Sequence, residues 1–165
     1  MAFSFKYIGS TSHVERVLYN LDWSVGRIGG NLREDVMLAQ ALLRMVFYEL
    51  AGKGGLLPPL GADGIEVDGW IGPSTLRHIA QFQDQAISLG QKVLRDGNFD
   101  PFRKVGQSST ISHTRYSIEL LNNFCANNCD TNRMRNFDDL PVRLDVPLQL
   151  RNALKTVKKT AAQYQ

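Results

Sequence analysis

The sequence predicts an all-α fold. Three observations carry that expectation. An apolar stripe at helical spacing runs from Asn31 to Gly52, a Gly/Pro/Thr-rich stretch leads into a second stripe at Pro73, and two further helical patterns occupy the last third of the chain. The 165 residues are expected to form a single domain. Its core would be three-helical over 31–97, with helical additions at the N-terminus and a helical C-terminal extension over 101–165.

The first helix is read in "NLREDVMLAQALLRMVFYELAG". Val36, Ala39, Leu43, Val46, Phe47 and Leu50 recur at the spacing that puts side chains on one face. Asn31 suits the N-cap, and Glu34 three residues on stands in capping-box position. Gly52 is a natural stop. "GKGGLLPPLGADGIEV" cannot be regular helix, and its paired prolines mark a constrained surface loop.

The second helix begins at Pro73, whose missing N–H is no loss in a first turn. Leu76, Ile79, Ala80, Gln83, Ala86 and Ile87 share a face, with Phe82 at its edge. A third helix is expected in "SHTRYSIELLNNFCAN", with Ile118, Leu121 and Cys125 inward. The fourth is "VPLQLRNALKTVKK", with Val146, Leu150, Leu154 and Val157 inward. Asp145 can cap it and Pro147 can occupy its first turn. Lys155, Lys158 and Lys159 then fall near its C-terminal end, where cations suit the helix dipole.

The composition narrows the functional classes. The formal charge of +3 and pI near 9.0 are mildly basic. No dense Lys/Arg cluster appears outside the C-terminal end, so nucleic acid is not the expected partner. No run approaches the roughly 18 apolar residues that span a bilayer, and no membrane is expected. No signal peptide is visible, which points to the bacterial cytoplasm or a non-classical export route. Cys125 and Cys129 are four apart and do not by themselves make a zinc set or a disulfide framework; buried or unlinked thiols are the simpler reading. His13, His78 and His113 are scattered, with His78 expected at a helix surface or edge, and no metal or cofactor motif is present. Glu119 with Asp138-Asp139 could supply a carboxylate pair for glycoside cleavage, but they sit in no recognisable pattern, and no catalytic residue is assigned.

The most informative stretch is "VDGWIGPSTLRHIAQFQ". Asp68-Gly69 is a turn pair, because Gly accepts positive φ and Asp bonds nearby backbone N–H groups. Gly72 allows a second bend, Thr75 can turn its hydroxyl back to the loop, and Gln83 can reach loop carbonyls from the helix. The arrangement resembles the three-helix peptidoglycan-binding domain family found attached to cell-wall hydrolases. The residues that carry the resemblance are Val36, Ala39-Gln40 and Leu43 in "DVMLAQALL", then Asp68-Gly69, Ile71, Gly72-Pro73, Thr75 and Phe82-Gln83. Ala39 stands where the family has a larger residue, the Gly52–Val67 loop is long for the family, and Asp96-Gly97 supplies a further Asp-Gly turn.

The resemblance implies a non-catalytic protein that holds peptidoglycan in a shallow groove near the Asp68–Thr75 loop. Trp70 would point outward and stack on a sugar or peptide, or else pack on Leu56 and Leu57. Arg77 could meet a stem-peptide carboxylate, or be solvated. With Asp68 these make the candidate binding residues, while Gln40 and Gln83 read as structural. The alternative is an adaptor module of a secretion apparatus or phage particle, docking a hydrolase or a secretion or tail protein.

Overall fold

The computed structural model describes residues 1–8, 15–50, 52–129 and 137–159. It is a mixed α/β protein, 43% helix and 14% strand, with one three-stranded and one two-stranded sheet, which overturns the all-α expectation. The chain opens with β1 (Phe3–Ile8), β2 (Glu15–Asn20) and β3 (Val25–Gly26). Helix α1 (Arg33–Arg44) follows and runs on through a π turn at Met45–Glu49. Then come α2 (Pro73–Ser88), β4 (Asn98–Phe99), α3 (Ser117–Asn128), α4 (Leu148–Leu154) and β5 (Val157–Lys159).

The N-terminal strands replace the expected helical addition. In "FSFKYI" large apolar and other residues alternate, the period-2 signature of a strand. β1 pairs antiparallel with β2, Phe3 opposite Asn20 and Ile8 opposite Glu15. Its other edge pairs in parallel with β5, Ser4 opposite Val157. Alternation puts Phe3 and Phe5 on one face and Ser4 on the other, and all three are buried. Phe5 meets Phe102 edge-on at 5.4 Å. On the opposite face Ser4 Oγ donates to the Leu154 carbonyl at 2.6 Å. Tyr19 is held between α3 and the 3₁₀ turn Phe137–Val142. Its N–H and carbonyl are bracketed by the Asn122 amide at 2.8 and 2.9 Å, and its hydroxyl donates to the Phe137 carbonyl at 2.7 Å.

The helical stripes of α1 and α3 pack much as their periodicity implies, whereas the buried face of α2 is rotated. Ile79, Gln83 and Ala86 are inward as expected, Ala80 and Ile87 are exposed, and Phe82, expected at the edge, is fully buried. Val36, Leu43, Val46, Ile79, Phe82, Ile118, Leu121 and Cys125 all enter one core. The Cys125 thiol donates to the Leu42 carbonyl and that of Cys129 to the Ala126 carbonyl.

Several local expectations fail. Asn31 is not an N-cap: it sits at φ +53°, and its amide brackets Gly26 at 2.8 and 3.0 Å, stapling the β3 turn. Glu34 makes no capping box and instead accepts from Gln149 of α4 at 2.8 Å.

The C-terminal extension is also not wholly helical. α4 ends at Leu154, so Val157 lies in β5 and is half exposed instead of inward. β1's open edge offers backbone partners that a continued helix would not use, and the Ser4 N–H donates to the Thr156 carbonyl at 2.9 Å. The lysines do not gather at a helix end. Lys155 bonds Asn152, Lys158 sits over the Phe3 ring at 3.9 Å, and the side chain of Lys159 lies outside the described part. Asp145 does not cap α4. It pairs with Arg143, a buried guanidinium that also grips Glu49 at the end of the π turn. The Arg143 bonds hold the Asp145 carboxyl below its usual range.

Candidate functional site

The site is built on Gln40, which projects from α1 and is 1% exposed. Its Oε1 accepts from the backbone N–H groups of Asp68 and Gly69 at 3.0 and 2.9 Å. Its Nε2 donates towards Asp68 Oδ1, the Trp70 carbonyl and Thr75 Oγ1 at 2.9, 3.0 and 3.0 Å. Asp68 Oδ1 also accepts from the Trp70 N–H at 2.9 Å, closing the turn on itself. Gly69 is required twice over. Its φ is +80°, and a Cβ there would stand 2.5 Å from Arg33 Cγ. Gly72, by contrast, is extended at φ −128° with open space around it, so its bend needs no glycine.

The pinned turn forms one wall of a groove of about 460 Å³. Asp63, Glu66 and Asp68 line it with carboxylates, and Gln40, Ser74 and Thr75 add an amide and two hydroxyls. The long loop that makes the other wall is tied to α2 by three side chains. Gln81 donates to the Leu57 carbonyl at 3.1 Å, Gln85 accepts from the Leu57 N–H at 2.9 Å, and Arg77 donates to the Leu60 carbonyl at 2.9 Å.

The candidate residues therefore have different fates. Asp68 lines the groove and also holds its own turn. Trp70 is 73% exposed, so its indole stands in solvent and not packed on Leu56, which is fully buried in the core. Arg77 is exposed, but its guanidinium serves the loop backbone.

Gln83 is structural, as expected, but acts on a different loop from the one the motif suggests. Its Oε1 accepts from the Gly97 N–H at 2.9 Å, and its Nε2 donates towards Asp96 Oδ1, the Asn98 carbonyl and Ser117 Oγ at 3.2, 2.9 and 3.3 Å. Asp96 Oδ1 accepts from the Asn98 N–H at 3.0 Å. This repeats the Gln40 pattern closely, with a glutamine on one helix, an Asp-Gly turn and a hydroxyl on the next helix, except that Gln83 Oε1 takes only the glycine N–H where Gln40 takes those of both turn residues. The chain thus contains two copies of one device. Thr75 follows Asp68 by seven residues, whereas Ser117 follows Asp96 by twenty-one. The extra residues fold back over the second turn and leave a cavity of only about 50 Å³, lined by Asp96, Asp100 and Ser117 with Ser109, Ser112, Thr114 and Arg115.

Compared with known proteins, the chain matches no family model, no curated protein and no solved structure.

Two polar groups beside the site, one buried and one half-buried, were not legible beforehand. His78 is buried, not at an edge. Its Nδ1 lies 2.7 Å from the Ser74 carbonyl, which can only accept, so Nδ1 carries the hydrogen. Nε2 is then the acceptor for the Tyr48 hydroxyl at 2.8 Å. Burial lowers the His78 pKa and raises that of Tyr48, which keeps both groups neutral. Tyr48 lies on the π turn that continues α1.

The carboxylates considered for glycoside cleavage have separate environments. Glu119 accepts from the Gly106 N–H at 2.7 Å and is held protonated more strongly than usual, mainly by burial. Asp138 and Asp139 lie on the 3₁₀ turn near Tyr19. His113 is exposed in the segment between Asp96 and Ser117, and His13 lies outside the described residues. Among the described residues no helix is long and apolar enough to cross a membrane, and no three His, Cys, Asp or Glu gather as a metal set.

Proposed function

We propose that the chain is a non-catalytic module that binds bacterial cell-wall peptidoglycan in the groove beside the Asp68–Thr75 turn. The observation that carries this reading is a pre-formed open groove, pinned by Gln40, with the 73%-exposed indole of Trp70 on its turn. A turn already held by the buried Gln40 amide loses little further freedom on binding, so contacts there convert efficiently into affinity. An indole offers a flat apolar face to a sugar or peptide plane and an N–H to a polar group. Arg77 contributes by holding the loop, through Leu60, and Asp68 by shaping the turn.

Retention on purified, protein-free sacculi tests the reading. The parent protein is expected to bind, and Trp70→Ala to lose the part of binding that survives high salt, with an unchanged helix signal and melting temperature. A parent that does not bind at any salt rejects wall binding. The adaptor reading then takes its place, favoured by Leu57 and Leu60, which are 62% and 96% exposed on the loop above the groove.

A further inference from the structure

We infer that Asp63 is a covalent modification site: its side chain closes on the Gly64 nitrogen to a succinimide, which opens to isoaspartate, the substrate of a carboxyl methyltransferase. The inference is independent of the wall-binding reading. The chain carries the Asp-Gly pair three times, at Asp63-Gly64, Asp68-Gly69 and Asp96-Gly97. Glycine has no Cβ to shield its nitrogen, so by sequence alone all three pairs are open to this reaction. The fold separates them. At two pairs a buried glutamine holds both reacting groups. Gln40 Oε1 accepts the Gly69 N–H at 2.9 Å, while Asp68 Oδ1 accepts from Gln40 Nε2 and from the Trp70 N–H, each at 2.9 Å. Gln83 Oε1 accepts the Gly97 N–H at 2.9 Å, while Asp96 Oδ1 accepts from Gln83 Nε2 at 3.2 Å and from the Asn98 N–H at 3.0 Å. Asp63-Gly64 has no such clamp. Among the described residues neither the Asp63 carboxyl nor the Gly64 N–H has a hydrogen-bond partner. Both residues are exposed, and a Cβ at Gly64 would meet nothing within 4 Å, so a ring has room to form. Exposure alone does not decide the matter, because Asp68 is exposed as well. The hold on the glycine N–H and on the carboxylate decides it.

The chemistry shows why the clamp matters. The Gly64 nitrogen attacks Asp63 Cγ, a C–N bond forms, the nitrogen gives up its proton, and the carboxyl hydroxyl leaves as water. Water then adds to either carbonyl of the ring. Opening on the side-chain carbonyl restores aspartate. Opening on the main-chain carbonyl gives isoaspartate, with the chain running on through Cβ and Cγ and a free carboxylate left on Cα. One water leaves and one returns, so no other reagent is consumed. A glycine N–H bonded to a buried amide oxygen must break that bond before it can lose its proton. A carboxylate turned towards the N–H two residues on is aimed away from the nitrogen that must attack it. Two donors also favour its charged form over the acid that can lose water. At Asp63 the product lengthens the main chain by one carbon in the loop that lines the open groove.

The test ages the full folded chain at neutral pH and body temperature, with the same chain in urea beside it. Purified isoaspartyl methyltransferase and labelled S-adenosylmethionine count the isoaspartate, and a protease that cuts before aspartate but not before isoaspartate locates it. In the folded chain Asp63 should convert about tenfold or more faster than Asp68 or Asp96, and urea should bring the three together. Asp63→Glu should remove most of the label from the folded chain. Gln83→Leu, aged at a temperature where circular dichroism shows it folded, should add label at Asp96 and leave Asp63 unchanged. Similar conversion at all three sites in the folded parent overturns the inference. So does an Asp63 that stays aspartate in the folded chain, whatever happens in urea. The parent alone therefore decides the result, even if the glutamine variant does not fold.

Discussion

Replacing Gln40 by leucine removes the amide while nearly preserving its volume. The substitution leaves the N–H groups of Asp68 and Gly69 without their partner, and the carbonyl of Trp70 with only the long bond from the Thr75 hydroxyl. A buried polar group left unpaired costs about 1–3 kcal/mol. Asp68 and Trp70 are exposed enough for water to reach their backbone, so the low end applies to each, and the added apolar burial of leucine offsets part of the sum. A net loss of about 2–3 kcal/mol follows. At roughly 2–4 °C per kcal/mol for a chain of this size, the melting temperature should fall by about 5–10 °C. Gln83→Leu should cost at least as much, because its partners Asn98 and Ser117 are buried and water cannot substitute. Thermal melts followed by circular dichroism, with urea titrations for the free energy, measure both. A Gln40→Leu melt within about 2 °C of the parent, or a Gln83→Leu effect smaller than that of Gln40→Leu, would refute the idea that the two amides pin these turns.

The two glycines of the turn should separate cleanly: Gly69→Ala, at positive φ and against Arg33, should lose about 1–2 kcal/mol or more, whereas Gly72→Ala, extended and in open space, should leave the melt almost unchanged. Arg143→Met should cost about 3 kcal/mol, the low end for breaking a buried pair because Asp145 is partly exposed, and urea unfolding at neutral pH measures it. Asp145 has a lowered pKa, so its contribution is present above the ordinary carboxyl value and fades as pH falls through the folded one; the Arg143→Met deficit should shrink in acid. Glu119 is the opposite case. Its raised pKa gives stability that is full below the ordinary value of 4.5 and lost as pH rises through the folded value. Glu119→Gln, which can still accept from Gly106, should flatten that part of the stability–pH curve, and parallel curves for parent and variant would count against the buried-acid assignment.

The helices were legible because their partners are local. Val36 to Leu43 and Ile79 to Ala86 show their period within a few turns, and Pro73 marks the start of α2 in any context. The turn chemistry at Asp68-Gly69 was legible for the same reason, since Asp68 bonds a group two residues away. What was missed depends on distant residues. "KTVKK" continues a helical pattern by its own composition and becomes strand only because β1 presents an unpaired edge. "FSFKYI" did alternate, and that signal was available but was outweighed by the helical stripes that follow it. Nothing local marks Arg143 for burial; only the fold sets it against Glu49. The second glutamine bracket was hidden because the segment after Asp96-Gly97 separates the turn from the hydroxyl of Ser117 that completes it. The acidity of the groove was also invisible, because Asp63 and Glu66 meet Asp68 only where the fold sets the long loop against the pinned turn.

The parallel pairing of β1 with β5 also dictates an order of events during synthesis. β1 emerges from the ribosome ahead of the other described elements and can close with β2 at once, since the two strands are near neighbours in sequence. Its second edge must wait until Val157–Lys159 has left the exit tunnel, after almost every other element has been made. At typical elongation rates of about 5–20 residues per second, that wait lasts on the order of ten seconds. For that interval the nascent chain carries an unpaired strand edge bearing Phe3 and Phe5, the kind of template that pairs with other chains. Completion of the sheet is a long-range closure and so belongs among the slow steps of folding. A chaperone that covers the paired β1 and β2 strands during translation would matter more to the yield of this protein than to its final stability.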